Sequence, residues 1–71
     1  MDYSKVIREL RQAMVLSQKE FAKKLNVSFA TVNRWENGHH KPTYKARRQI
    51  LSLCRKYGID SNEQEESKEN G

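Results

Sequence analysis

The amino-acid sequence predicts an all-α fold, a compact bundle of four short helices. Three observations carry the prediction. Apolar residues recur at spacings of three and four in four separate stretches, as they do in helices that bury one stripe. Helix start and stop signals separate these stretches, and nowhere do apolar and polar residues alternate as in a half-buried strand. The chain has 71 residues, 35% of them hydrophobic and 32% charged. Such a chain supports one core, assembled from amphipathic helices rather than from wholly apolar segments.

The first helix is expected from Ser4 to Met14, with Val6, Ile7, Leu10, Ala13 and Met14 on its apolar side and Asp2 or Ser4 as its cap. The stretch LSQKEFAKKL opens the second. There Ser17 and Glu20 have the spacing of a capping box, in which a hydroxyl and a carboxylate satisfy amides that have no helical partner. Phe21, Ala22 and Leu25 form its buried stripe, and it stops after about two turns at Asn26, a residue tolerant of positive φ. Val27 is an apolar turn residue. Ser28 caps a third helix that runs through Val32 and Trp35 to Asn37 and is terminated by Gly38. After the polar loop of His39, His40 and Lys41, Pro42 and Thr43 begin a fourth. Its apolar side holds Ile50, Leu51, Leu53, Cys54 and Tyr57, and Gly58 lies just past its end. One domain is therefore expected over residues 1–58. Residues 59–71, polar, acidic and without periodicity, read as a disordered tail. No internal repeat is visible.

Charge divides along the same boundary. Residues 1–57 carry 13 Lys and Arg against four acids, whereas residues 58–71 carry Lys68 against five acids. A basic small domain suits a polyanionic partner, because each phosphate neutralised releases condensed counterions, although a solvated surface rich in Lys and Arg has the same composition. The N-terminus lacks the basic region and apolar run of a signal peptide, no stretch is long and apolar enough to span a membrane, and the single Cys54 has no partner for an internal disulfide. These features fit an intracellular, reducing location.

Two short helices joined by a turn of three or four residues make a helix-turn-helix, whose second helix can enter the major groove of B-DNA. With Leu25, Val27, Val32 and Trp35 turned inward, the third helix presents Ser28, Phe29, Ala30, Asn33 and Arg34 on its other side. The chemistry suits base edges. Arg34 can pair with guanine O6 and N7, Asn33 with adenine N6 and N7, and Phe29 or Ala30 can touch a thymine methyl.

At these residues the chain resembles the Cro-like and phage-repressor-like, or xenobiotic-response-element, helix-turn-helix proteins. The resemblance spans residues 5 to about 57 and rests on Arg11, SQKEFA at 17–22, LNVS at 25–28, VNRWENG at 32–38 and Pro42. It implies a lambda-repressor-like bundle and a cytoplasmic, bacterial or phage-type regulator of transcription, most simply a repressor, that binds double-stranded DNA. It further implies that Gln18 and Asn37 contact phosphate, that Ser28, Phe29, Ala30, Asn33 and Arg34 meet bases or the groove wall, and that Arg11 and Glu36 form a structural ion pair. Lys41, beside the end of the third helix, is a further candidate for phosphate.

The chain departs from the family pattern twice. Members often have Gly where this chain has Val15, and since a β-branched residue is costly at positive φ, the link between the first two helices is expected to take another conformation. Members also commonly carry a fifth helix, which would make five here, but no apolar periodic segment follows the fourth. If a homodimer forms, Ile50, Leu53, Tyr57 or Ile59 would supply the contact, with the two recognition helices about 34 to 36 Å apart.

The alternative from another class is a protein-interaction module, antitoxin-like or antirepressor-binding, that uses the fourth helix. Substitutions at Leu53 or Tyr57 rather than at Arg34 would then abolish function. Nothing points to an enzyme: Cys54 lies in an apolar stripe with no His near it in sequence, and there is no Gly-rich phosphate loop. No cofactor is implied. The adjacent His39 and His40 lack further ligands at suitable spacing for a tetrahedral metal site.

Overall fold

The computed structural model describes residues 2–60. Four helices lie among them: α1 (Tyr3–Ala13), α2 (Gln18–Leu25), α3 (Phe29–Glu36) and α4 (Tyr44–Tyr57). The expected tail at 59–71 lies almost wholly outside the described residues.

Each helix starts on a short polar side chain that accepts from amides of the first turn, the groups a helix leaves without a partner. Asp2 caps α1 and accepts through Oδ1 from the Ser4 amide at 3.1 Å and the Ser4 hydroxyl at 2.7 Å. The Ser4 hydroxyl, followed by the Lys5 amide, holds the Asp2 carboxyl below its ordinary value. Ser17 and Glu20 form the full capping box on α2, Ser28 caps α3 through the Thr31 amide, and Thr43 caps α4 through the Ala46 amide.

The helix ends are equally uniform. Val15, Asn26, Gly38 and Gly58 all take left-handed backbone. In each case the following amide reaches back five residues: Leu16 to Arg11 O, Val27 to Ala22 O, His39 to Arg34 O and Ile59 to Cys54 O. These are Schellman-type closures, which satisfy carbonyls left over at a helix end.

The core is built from Tyr3, Val6, Ile7 and Leu10 of α1, Phe21, Ala22 and Leu25 of α2, Val32 and Trp35 of α3, and Ala46, Ile50 and Cys54 of α4. Met14, Leu16, Val27, Leu53 and Ile59 pack against it. α3 lies against both α1 and α2, while α4 lies against α1. Ala13, expected on the apolar side of α1, is exposed, and so is Tyr57 on α4. The α1 stripe instead extends backward to Tyr3, and Pro42 and Ala46 are buried ahead of Ile50.

The link between α1 and α2 corrects the sequence expectation. Val15 does take positive φ, at 56°. The alternative conformation is not available because α2 must start within a few residues. The closure at Arg11 O and Gln12 O, the packing of Leu16 and the hydrogen bond from Arg11 Nη1 to Leu16 O at 3.1 Å all require the left-handed turn. The Val15 side chain is 85% exposed, so it gains little packing to offset the roughly 1–2 kcal/mol that a side chain costs in this region. Val15→Gly is therefore expected to stabilise the domain by about 1 kcal/mol, after allowing for the greater freedom of glycine in the unfolded chain. Urea denaturation measures this, and a lower midpoint in the variant would contradict the left-handed link.

Candidate nucleic-acid interface

The junction of the first three helices is organised around one acid. Glu36, in the last turn of α3, is only 5% exposed. A buried carboxylate is tolerable when its lone pairs are filled by charged or polar donors. Arg11 of α1 supplies two: Nε donates to Oε2 at 2.7 Å and Nη2 to Oε1 at 3.1 Å. Gln18 of α2 supplies a third from Nε2 to Oε1 at 3.0 Å. The carboxylate in turn holds the Arg11 guanidinium above its ordinary pKa, chiefly through these hydrogen bonds. Arg8, one turn before Arg11, donates from Nη1 to the backbone carbonyl of Glu36 at 3.3 Å.

From this acid a line of amides runs outward. Because a carboxylate only accepts, it fixes which end of Gln18 faces it. The Gln18 Oε1 is thereby left to accept from Asn33 Nδ2 at 3.4 Å. Asn33 Oδ1 then accepts from Asn37 Nδ2 at 3.0 Å. The relay Glu36, Gln18, Asn33, Asn37 thus joins the start of α2 to the outward side of α3. Each of the three amide nitrogens uses one hydrogen in the relay and keeps a second.

The remaining candidates occupy the outward side of α3. Phe29 is 46% exposed and does not fold back into the core. Ala30 and Arg34 are exposed, and the Arg34 guanidinium pairs with no described residue. Ser28 begins the same face, its hydroxyl accepting from the Thr31 amide at 3.1 Å and sharing a hydrogen bond of 2.8 Å with Thr31 Oγ1. Lys41 is exposed in the loop after α3, together with His39 and His40. No group of three or more potential metal ligands occurs among the described residues, and no described helix is long and apolar enough to cross a membrane.

Two engagements escape a reading of the sequence. Arg8 reaches the end of α3; its spacing of three from Arg11 on one face of α1 was the available signal. The attachment of Gln18 to both Glu36 and Asn33 depends on how closely α2 approaches α3, which spacing alone does not encode.

Two short helices joined by a left-handed turn, the second with a polar outward face, define a helix-turn-helix domain. A family model described as helix-turn-helix matches residues 7–63, and the chain belongs to this family, of the Cro and phage-repressor, or xenobiotic-response-element, type. It is a family of DNA-binding regulators. Neither the curated proteins nor the solved structures provide a match to the chain.

The Glu36 junction makes a direct stability prediction. Removing Arg11 leaves a buried carboxylate with only neutral donors. Arg11→Ala is thus expected to cost about 2–4 kcal/mol, well above the 0–1 kcal/mol of an exposed pair. Replacing both partners, as in Arg11→Met with Glu36→Leu, should recover much of that loss. Thermal and urea melts of Arg11→Ala and of the double variant test this, and an unchanged melt for Arg11→Ala would refute the buried geometry.

Proposed function

We propose that the chain is a sequence-specific regulator that binds double-stranded DNA with the helix over residues 28–37 in the major groove, most simply a repressor that acts by occupying its operator. The observation that carries this reading is the outward face of α3. Phe29, Ala30 and Arg34 stand exposed on a helix whose other side is fastened to the core by Val32, Trp35 and Glu36. A rigid helix with free polar and apolar tips is what base readout needs.

In this reading Arg34 takes guanine in bidentate fashion, Asn33 reads an adjacent base, Phe29 and Ala30 contact thymine methyls or the groove wall, and Ser28 lies at the groove edge. Gln18, Asn37 and Lys41 take phosphates. The second amide hydrogens on Gln18 and Asn37 suit a phosphate oxygen, and Gln18 sits in the first turn of α2, where the helix end favours an anion. Phosphate contacts set position, while the α3 face sets sequence.

Selection from a random duplex library with wild type and Arg34→Ala, followed by equilibrium binding across a salt series, tests the proposal. Wild type should enrich a defined site, palindromic if the chain acts as a dimer. Arg34→Ala should lose about 1–3 kcal/mol of binding and the preference for guanine at one position. Lys41→Ala should instead weaken binding evenly over all sequences and lower the salt slope by about one. Enrichment of no sequence would overturn the reading and direct attention to a protein partner on α4.

A further inference from the structure

An open groove of about 570 Å³ runs between α4 and the last turn of α2. Leu25 and Leu53 form its apolar floor, and Lys24, Lys45, Arg48 and Arg55 stand around it. None of its lining residues is acidic. Lys45, Arg48 and Arg55 are three and seven residues apart, so they form one stripe along α4. The Tyr44 ring lies 6.0 Å from the Arg48 guanidinium, in the middle of that stripe. Four cations around one groove repel each other unless an anion is placed among them.

We propose that the chain supplies that anion itself: the segment containing Glu63, Glu65, Glu66 and Glu69 seats in the groove, antiparallel to α4. Three arguments favour this occupant. Its charge is complementary, with four acids against Lys68 alone over residues 61–71. It is within reach, since nine residues past Asp60 extend about 30 Å, whereas the 14 residues of α4 span about 21 Å at the helical rise. It is also tethered, and a short tether gives an effective concentration on the order of millimolar, so a contact too weak to form between separate molecules is populated within one. A second copy of this basic groove would repel the first. A duplex, far wider than a single extended strand, does not descend to an apolar floor between two helices.

Seating is electrostatic, so it yields to salt as the screening length shrinks from about 8 Å at physiological ionic strength to about 3 Å at 1 M. Its consequence for DNA rests on the reading above: a seated tail covers cations that would otherwise add sequence-independent affinity for polyanions. The seating itself needs no DNA, so its test and the operator selection fail independently.

The experiment compares amide nitrogen–proton NMR spectra of the full-length chain with those of its E63Q/E65Q/E66Q/E69Q variant. Shift differences are expected at Lys24, Leu25 and the Lys45–Arg55 side of α4, not at Phe29–Arg34, and are expected to vanish in 1 M NaCl. In a K45E/R48E background the same tail substitutions should produce no groove shifts, while unchanged core resonances of α1–α3 report that the variant is folded. Identical groove resonances in wild type and the tail variant overturn the proposal, as do tail-dependent shifts centred on the α3 face. A duplex of random sequence that moves the groove resonances equally in both proteins overturns it in favour of a nucleic-acid surface.

Discussion

A buried negative charge at the end of α3 is tolerable only if α1 and α2 both bring donors to it. Glu36 receives Arg11 from one helix and Gln18 from the other, and its own backbone carbonyl receives Arg8. The apolar stripes bring the three helices together, but dispersion and burial are tolerant of small rotations and slides. Hydrogen bonds to a carboxylate are not, because they weaken steeply with angle and distance. The acid therefore converts an approximate packing of α3 into a definite one. Everything on the outward side of α3 inherits its orientation from that junction.

The second constraint is brevity. α2 and α3 have eight residues each, too few to be stable alone, so caps and closures contribute a large share of what makes them helices at all. Every helix accordingly begins on Asp, Ser or Thr and closes through a left-handed residue. Gly38 and Gly58 adopt that backbone without strain, Asn26 with little, and Val15 against its stereochemistry. The strain at Val15 persists because closure of α1, entry into α2 and the anchoring of Arg11 all meet at this one turn.

The helices and most of their ends were legible in the sequence because they are set by local signals: stripes at three and four, Ser17 with Glu20, Gly after Asn37. Those signals also carried the family. The left-handed Val15 was not legible, since residue preference argues against it and only the tertiary demand on the link overrides that preference. Ala13 was misplaced for a related reason: an alanine matches an apolar stripe in spacing, yet it is too small to say which side of the stripe is covered. For the candidate interface, spacing alone set which residues share the outward side of α3. The inward attachment of Gln18 was hidden because one side chain with a donor and an acceptor can serve several partners, and the sequence does not state which is nearest.

The amide relay divides the outward residues of α3 into two kinds. Asn33 and Asn37 are tied, through Gln18, to the acid that orients the helix: altering Asn33 unlinks Gln18 from the outward face, and altering Asn37 removes one exposed hydrogen bond to Asn33. Phe29, Ala30 and Arg34 carry no such obligation, and substitutions there leave the scaffold's hydrogen bonds intact. On the DNA-binding reading, Phe29, Ala30 and Arg34 can change what is read by single steps, while Asn33 reads its base with a side chain that Gln18 already holds. On that same reading, docking and recognition meet in one side chain, Asn33, and are separate at Phe29, Ala30 and Arg34, where a change of target need not disturb the hydrogen bonds that fix the helix.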